Sequence, residues 1–181
     1  MHTLVVAATA AEAAHVPPSL PLVVTGMGKT AAAVATARAL ATLPTLEGLT
    51  VVNIGTAGSL RDDVVGLLEP GVVLNHDINA GLIRTLGYDA RERLTVGSSD
   101  IVLATGDVFV TDPVVRARLA EQAHLVDMEG YAVAWAALQV GVPVRLVKHV
   151  SDAADESAMD WPSMVEASAV ALGEWLREHA S

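Results

Sequence analysis

Seven short apolar runs, each followed by turn residues or a helical pattern, constrain this chain more than any other feature of its sequence. They occupy residues 3–8 (TLVVAA), 21–25 (PLVVT), 50–54 (TVVNI), 71–75 (GVVLN), 101–105 (IVLAT), 125–128 (LVDM) and 143–150 (PVRLVKHV). Most are continuous rather than alternating in polarity, as strands covered on both faces must be. Helical patterns fall at 27–43, 112–123, 129–140 and 161–180. Asp112-Pro113 supplies an N-cap and a proline at the first helical position. Asp160 is a second candidate cap, and Gly141-Val142-Pro143 stops one helix and starts a strand. The alternation predicts an α/β fold in three layers, αβα, with helices on both faces of a central, mostly parallel sheet. Residues 77–100 are the least regular part, and a mobile loop is expected there.

With 181 residues the chain is long enough for one real core and too short for two ordinary domains, so residues 1–181 are expected to form a single domain. It is 52% hydrophobic and 18% charged, with a mean hydropathy of +0.45. A covered sheet and a subunit interface would absorb that apolar surplus, and a homodimer is expected. The net charge is −10 with the basic residues scattered, which argues against a nucleic-acid partner and is compatible with a small neutral or cationic ligand. The run at 31–43 is too short for a bilayer and is broken by Arg38, and the N-terminus lacks a basic start and a cleavage site. A soluble, cytoplasmic protein with no membrane partner is therefore expected. The absence of cysteine removes disulfides, zinc thiolates and thiol catalysis. The six histidines show no metal-ligand spacing, and no metal is expected.

In open α/β sheets ligands bind beyond the carboxyl ends of the strands, so the residues just after each apolar run carry the functional signal. These are 9–12, 26–28, 55–59, 76–77, 106–109, 127–129 and 151–155, where most glycines, hydroxyls and acids outside the helix surfaces collect. VVTGMGKT is not a Walker A sequence, because Val23 stands where that pattern needs glycine, and Ala31 breaks the G-x-G-x-x-G spacing. It reads as a glycine turn that lets the next helix pack closely, with backbone N–H groups still able to meet a ligand oxygen. In NIGTAGSL the glycines permit close backbone approach, and Thr56 and Ser59 are hydroxyls available to water or sugar; such a segment is as often an ordinary turn. Asp152, just beyond the last strand, is a turn former or an acid poised to deliver a proton. Singly, Asp152, Glu12 and Glu129 each have a structural explanation; three acids at strand ends of one sheet favour a site. Asp127 reads as structural, facing the first turn of the helix that follows. His76 reads as a loop or hydrogen-bonded, half-buried histidine. Ser151 lacks a nucleophile-elbow context. Trp135 and Trp175 read as core or interface, and Trp161 as packing, with a pocket wall the alternative.

Taken in order, Glu12, TGMGKTAAA, NIGTAGSL, His76-Asp77, ATGDVFV, VDMEGYAVA and VKHVSDAAD cover nearly the whole chain. In that order they resemble the nucleoside phosphorylase and nucleosidase superfamily, most closely its methylthioadenosine/S-adenosylhomocysteine nucleosidase branch. DMEG followed by SDAAD one helix and one strand later is the specific part. The resemblance implies a phosphorylase/hydrolase-like mixed sheet, a purine nucleoside as small-molecule partner, and no metal or organic cofactor. It implies that Asp152 donates a proton to purine N7, supported by Ser151. Glu129 would bind the ribose hydroxyls with Met128 packed on the sugar, and Glu12 would activate the attacking water. Phe109 would stack on the base while the Val110 backbone reads its edge. Thr56 would support the water, and Ala57 and Gly58 would border the substrate.

The chemistry fits these residue types independently. Breaking a glycosidic bond to a purine leaves negative charge on the base and positive charge on the sugar. An acid at the base neutralises the leaving group, while carboxylates at the sugar stabilise the oxocarbenium-like state and align water. The chain departs from its relatives in three ways. Segments between Glu12 and TGMGK and at 77–100, which shape the 5′ pocket in relatives, are shortened. Lys148 stands where nucleosidases usually carry an arginine near the water, keeping the charge without the bidentate fork. Thr9 replaces a usual methionine beside the sugar. Phosphorylases need arginines converging on phosphate. Here Asn53 precedes IGTAG where many of them have arginine, and the TGMGK loop has none, so hydrolysis is favoured. A phosphorylase, a non-catalytic nucleoside- or base-binding relative and a nucleotide binder using TGMGK are the alternatives.

Overall fold

A computed structural model describes residues 2–156, 158 and 161–180. Among these, one mixed sheet is built from β1 (His2–Ala7), β2 (Leu22–Val24), β3 (Leu49–Ser59), β4 (Leu67–Leu68), β5 (Val72–Asn75), β6 (Arg93–Thr95), β7 (Val102–Thr105), β8 (Leu125–Asp127) and β9 (Val144–Asp152). The strand order is β2-β1-β3-β8-β7-β5-β6, with β9 also on β3 and β4 on β9. Only β3–β8, β4–β9 and β5–β6 pair antiparallel. The helices are α1 (Lys29–Thr42), α2 (Ala80–Thr85), α3 (Pro113–Ala120), α4 (Gly130–Gln139) and α5 (Trp161–His179).

The continuous apolar runs have a direct structural cause. Successive strand residues point to opposite faces, and both faces are covered. Leu4, Val6, Val51 and Leu146 pack with Ala32 and Leu40 of α1 and Val133 and Ala137 of α4. Their sequence neighbours Val5, Ala7, Val52 and Val147 pack with Leu172, Trp175 and Leu176 of α5. Further along the sheet, Leu74, Val102 and Ala104 pack with Leu119 of α3. The three-layer α/β arrangement expected from the alternation is the observed one.

Helix starts follow local chemistry. The Asp112 side chain accepts the Val114 N–H at 2.7 Å, with Pro113 next. The Asp127 carboxylate accepts the N–H of Gly130, the first residue of α4, at 2.8 Å, while the N-cap position itself is Glu129. Gly28, at φ +92° before α1, holds a conformation that side chains rarely adopt. Asp160, the other expected cap, lies outside the described residues.

Two expectations are corrected. Residues 77–100 are not simply a loop. Asn79 caps the short α2 through the Leu82 N–H at 3.1 Å, and β6 pairs with β5. A six-residue helix is too short to show a period, and RLT is too polar and exposed to read as a strand. NIGTAGS is not a turn after a strand either, because β3 continues through it to Ser59. Glycine weakens a strand taken alone, but here β9 pairs along the segment and β8 joins at its end.

That long strand creates the opening for a site. β1 pairs with β3 up to Asn53, and β8 joins the same edge only at Gly58. Between them, residues 54–57 have β9 on one side and no strand on the other. Backbone donors along that edge need other partners, and the chain supplies a carboxylate.

Candidate active site

Glu12 sits in the turns after β1 and is almost fully buried. Its Oε1 accepts the Thr56 backbone N–H at 2.8 Å and the Thr56 hydroxyl at 2.9 Å. Its Oε2 accepts the Thr9 N–H at 3.1 Å and the Thr9 hydroxyl at 3.0 Å. The carboxylate therefore satisfies a donor that the gap between β1 and β8 leaves without a strand. Gly55 lies beneath it. A Cβ there would come 3.1 Å from Glu12 Oε1 and 3.4 Å from Lys148 Nζ, so glycine lets both charged groups converge over the strand.

Asp152 is the last residue of β9. Its Oδ2 accepts the Ser151 hydroxyl at 2.6 Å and its Oδ1 the Ala154 N–H at 2.8 Å. Neighbouring strand residues normally face opposite ways, yet Ser151 and Asp152 both line one cavity. The register shift opposite Ala57 and Gly58 explains this, since β9 carries one extra residue there, and such irregularities re-aim side chains.

Glu129 occupies the position before α4. Its Oε1 accepts the Gly28 N–H at 2.7 Å from the TGMGK loop. Burial, and then the neighbouring Asp127 charge, push its pKa up to about 7, against the pull of the Gly28 N–H and Lys148. The next N–H of that loop, Lys29, donates to Asp107 Oδ1 at 2.7 Å. The Lys29 ammonium meets Asn75 Oδ1 at 2.8 Å and pairs with Asp77. The Gly28 and Lys29 N–H groups and the Lys29 ammonium are thus engaged by the protein's own side chains.

A cavity of about 340 Å³ gathers these groups. Of the residues singled out in the sequence, Glu12, Thr56, Ala57, Gly58, Phe109, Val110, Met128, Glu129, Ser151 and Asp152 all line it. Phe109 is half exposed at 47%, whereas Val110 is buried. Lys148 does not line it. Its ammonium is fully buried 2.9 Å from Asp127 Oδ2, so its charge is neutralised beneath the floor. Ser59 turns away and donates to the Arg61 carbonyl at 2.6 Å. His76 is half-buried, but its ring lies against Gly106 and Nε2 has no hydrogen-bond partner; burial lowers its pKa. Asn53 is buried and donates to the Val6 carbonyl at 3.1 Å.

Sequence reasoning gave no role to Ala8, Val126 or Ala158, gave Met27 and Val108 none beyond their place in the strand-end segments 26–28 and 106–109, and read Trp161 as packing with a pocket wall as the alternative. Trp161 is a wall of the cavity, and its Nε1–H donates to Thr56 Oγ1 at 2.8 Å. Met27 and Val108 fall inside strand-end segments that the general rule for α/β sheets had singled out. Among the described lining residues there are four carboxylates and no lysine or arginine.

The sequence model of the Phosphorylase superfamily matches residues 84–177, a span that includes Phe109, Met128, Glu129 and Asp152 but not Glu12. A 5′-methylthioadenosine/S-adenosylhomocysteine nucleosidase of Buchnera aphidicola is 25% identical over 138 residues, covering 61% of this chain and 54% of that protein. An aminodeoxyfutalosine nucleosidase of Helicobacter pylori is 27% identical over 148 residues, covering 68% of this chain and 64% of that one. The chain thus spans between about half and two thirds of the curated relatives it matches. Among solved structures, a Helicobacter pylori 5′-methylthioadenosine/S-adenosylhomocysteine nucleosidase in complex with a substituted pyrrolidin-3-ol superposes with a TM-score of 0.83 at 21% identity, covering 98% of this chain and 97% of that one. A Neisseria meningitidis enzyme of the same name gives 0.81 at 20%, covering 96% and 95%. These likenesses show a shared fold. With just over half of its length matched by the family model, the chain belongs to the Phosphorylase superfamily.

Proposed function

We propose that this protein is a purine nucleosidase that hydrolyses the N-glycosidic bond of adenosine-type nucleosides, with methylthioadenosine or S-adenosylhomocysteine as first candidates. The observation that carries the reading is one apolar-walled cavity with Asp152 at the end of β9 and Glu12 and Glu129 at the ends of β1 and β8. Asp152, steadied by Ser151 and the Ala154 N–H, protonates purine N7 so that the base leaves neutral. Phe109 stacks on the base and the Val110 backbone meets its edge. Glu129 accepts the ribose hydroxyls with Met128 against the sugar, and Glu12 aligns and deprotonates the attacking water. Lys148 acts indirectly, as the buried partner of Asp127 beside both sugar-side acids. General acid catalysis is worth roughly 10²–10⁴-fold, and positioning and electrostatics supply the rest.

Water rather than phosphate is favoured by the electrostatics. A polyanion needs converging cations, and no lysine or arginine is among the described residues that line the cavity, while the Gly28 and Lys29 N–H groups of the glycine loop already serve Glu129 and Asp107. The names of the curated relatives support a nucleosidase. The test is a nucleoside panel incubated with and without phosphate while free base is followed. Base release without phosphate is expected, and Asp152→Asn is expected to lower turnover at least 100-fold without loss of folding. A strict phosphate requirement would make the protein a phosphorylase, and saturable binding without release a non-catalytic relative.

A further inference from the structure

Glu12 has a constraint that its proposed role as base must overcome. An ionised carboxylate offers about four lone-pair positions, and all four are taken by the N–H and O–H groups of Thr9 and Thr56. A water can therefore dock on Glu12 only where a hydroxyl turns away, because the backbone N–H groups are fixed. The two hydroxyls differ in what holds them. Thr56 Oγ1 receives the Trp161 indole N–H at 2.8 Å. An indole N–H only donates, so it fills a lone pair on Thr56 and leaves the hydroxyl proton directed at Glu12 Oε1, 2.9 Å away. Thr9 Oγ1 is met instead by the Glu12 N–H at a longer 3.2 Å, a weaker restraint on a hydroxyl 3.0 Å from Oε2.

We propose that Trp161 is a positioning residue: acting through Thr56, it keeps Glu12 Oε1 saturated and leaves Oε2 as the oxygen that takes the water. The inference rests on the nucleosidase reading of the site. It also gives the first residue of α5 a part in catalysis, in the same chain segment that delivers Asp152 and the Ala154 N–H that holds it.

The experiment is steady-state hydrolysis of methylthioadenosine by the wild type, Trp161→Phe, Thr56→Val and the double variant. Phenylalanine keeps the aromatic wall and removes only the donor. Trp161→Phe is expected to lower kcat roughly tenfold, as loss of one hydrogen bond would, with KM within about twofold. The double variant is expected to be no slower than Thr56→Val, because Trp161 acts only through that hydroxyl. Unchanged kcat in Trp161→Phe overturns the inference, as does a raised KM at unchanged kcat, which a simple wall would give, or additive losses in the double variant. A wild type that releases no base overturns the nucleosidase reading, and this inference with it; an active wild type matched by Trp161→Phe overturns the inference alone. Should Trp161→Phe not fold, the indole ¹H–¹⁵N resonances decide. One of them should move in Thr56→Val and stay in Thr56→Ser, and no movement in Thr56→Val sinks the proposal.

Discussion

At the scale of single residues, Glu129 links the site to pH. Its pKa is raised to about 7 chiefly by burial, so the folded protein holds a proton that the unfolded chain has released above the ordinary glutamate range. Between about pH 4.5 and 7 the native state therefore binds more protons than the unfolded state, and stability falls as pH rises through that window. Glu129→Gln keeps an acceptor for the Gly28 N–H and removes the titration. The variant is expected to gain melting temperature over the wild type at pH 8 but not at pH 4.5; a constant difference across pH would refute the assignment. For ligand binding the sign reverses, since ribose hydroxyls donate to the ionised form, and KM for a riboside is expected to fall from pH 6 to 8. Gly58 makes a second prediction. A Cβ there would stand 2.9 Å from both Asp152 Oδ1 and the Ala154 Cβ, and 3.2 Å from Val126 Cγ1. Ala154 already holds a positive φ of 51°, so it has little room to yield. Gly58→Ala is expected to cost about 1–3 kcal/mol of stability by overpacking and to depress turnover at least tenfold by displacing Asp152. Wild-type kcat in a folded Gly58→Ala would refute that contact.

At the scale of elements, the order of the longer strands and helices was legible because it rests on continuous apolar runs, and most residues of the candidate site were legible because they follow one. What escaped depends on partners. The tail of β3 looks like a turn in NIGTAGS until β9 and β8 are seen to pair with it. The helix α2 and strand β6 carry too little pattern of their own. The resemblance put Lys148 beside the water, since nothing in VKHV reveals that its ammonium meets Asp127 beneath the floor. That pair ties β9 to β8 across the long strand between them, and both side chains are only 1% exposed. Removing one partner of such a pair leaves a buried charge unmatched. Lys148→Met is expected to cost about 3–5 kcal/mol in urea unfolding. Adding Asp127→Asn should recover part of that loss, because the second change removes the stranded charge. A Lys148→Met variant as stable as the wild type would show that the pair is not held as the geometry has it.

At the scale of the molecule, the apolar surplus has a place to go. Between α1 and α4 runs a groove of about 360 Å³ lined by Ala37, Leu40, Leu46, Trp135 and Val140. Val34 beside it is 53% exposed, Val140 50% and Leu138 38%. Neither helix contains an Asp or Glu, in a chain with 21 of them and a net charge of −10. Two copies meeting elsewhere would bring like charges together, whereas this face lets them approach while burying apolar surface at roughly 25 cal/mol per Å². A two-fold contact would use the same patch on both copies, so one substitution places two charges in the interface. The homodimer expected from composition would bury this face. Sedimentation should give about twice the chain mass of 18.7 kDa, and Val34→Glu should shift the protein to monomer with its helix content intact. A wild type that remains monomeric at all concentrations would remove the dimer, and a Val34→Glu variant that stays dimeric would move the contact to another face.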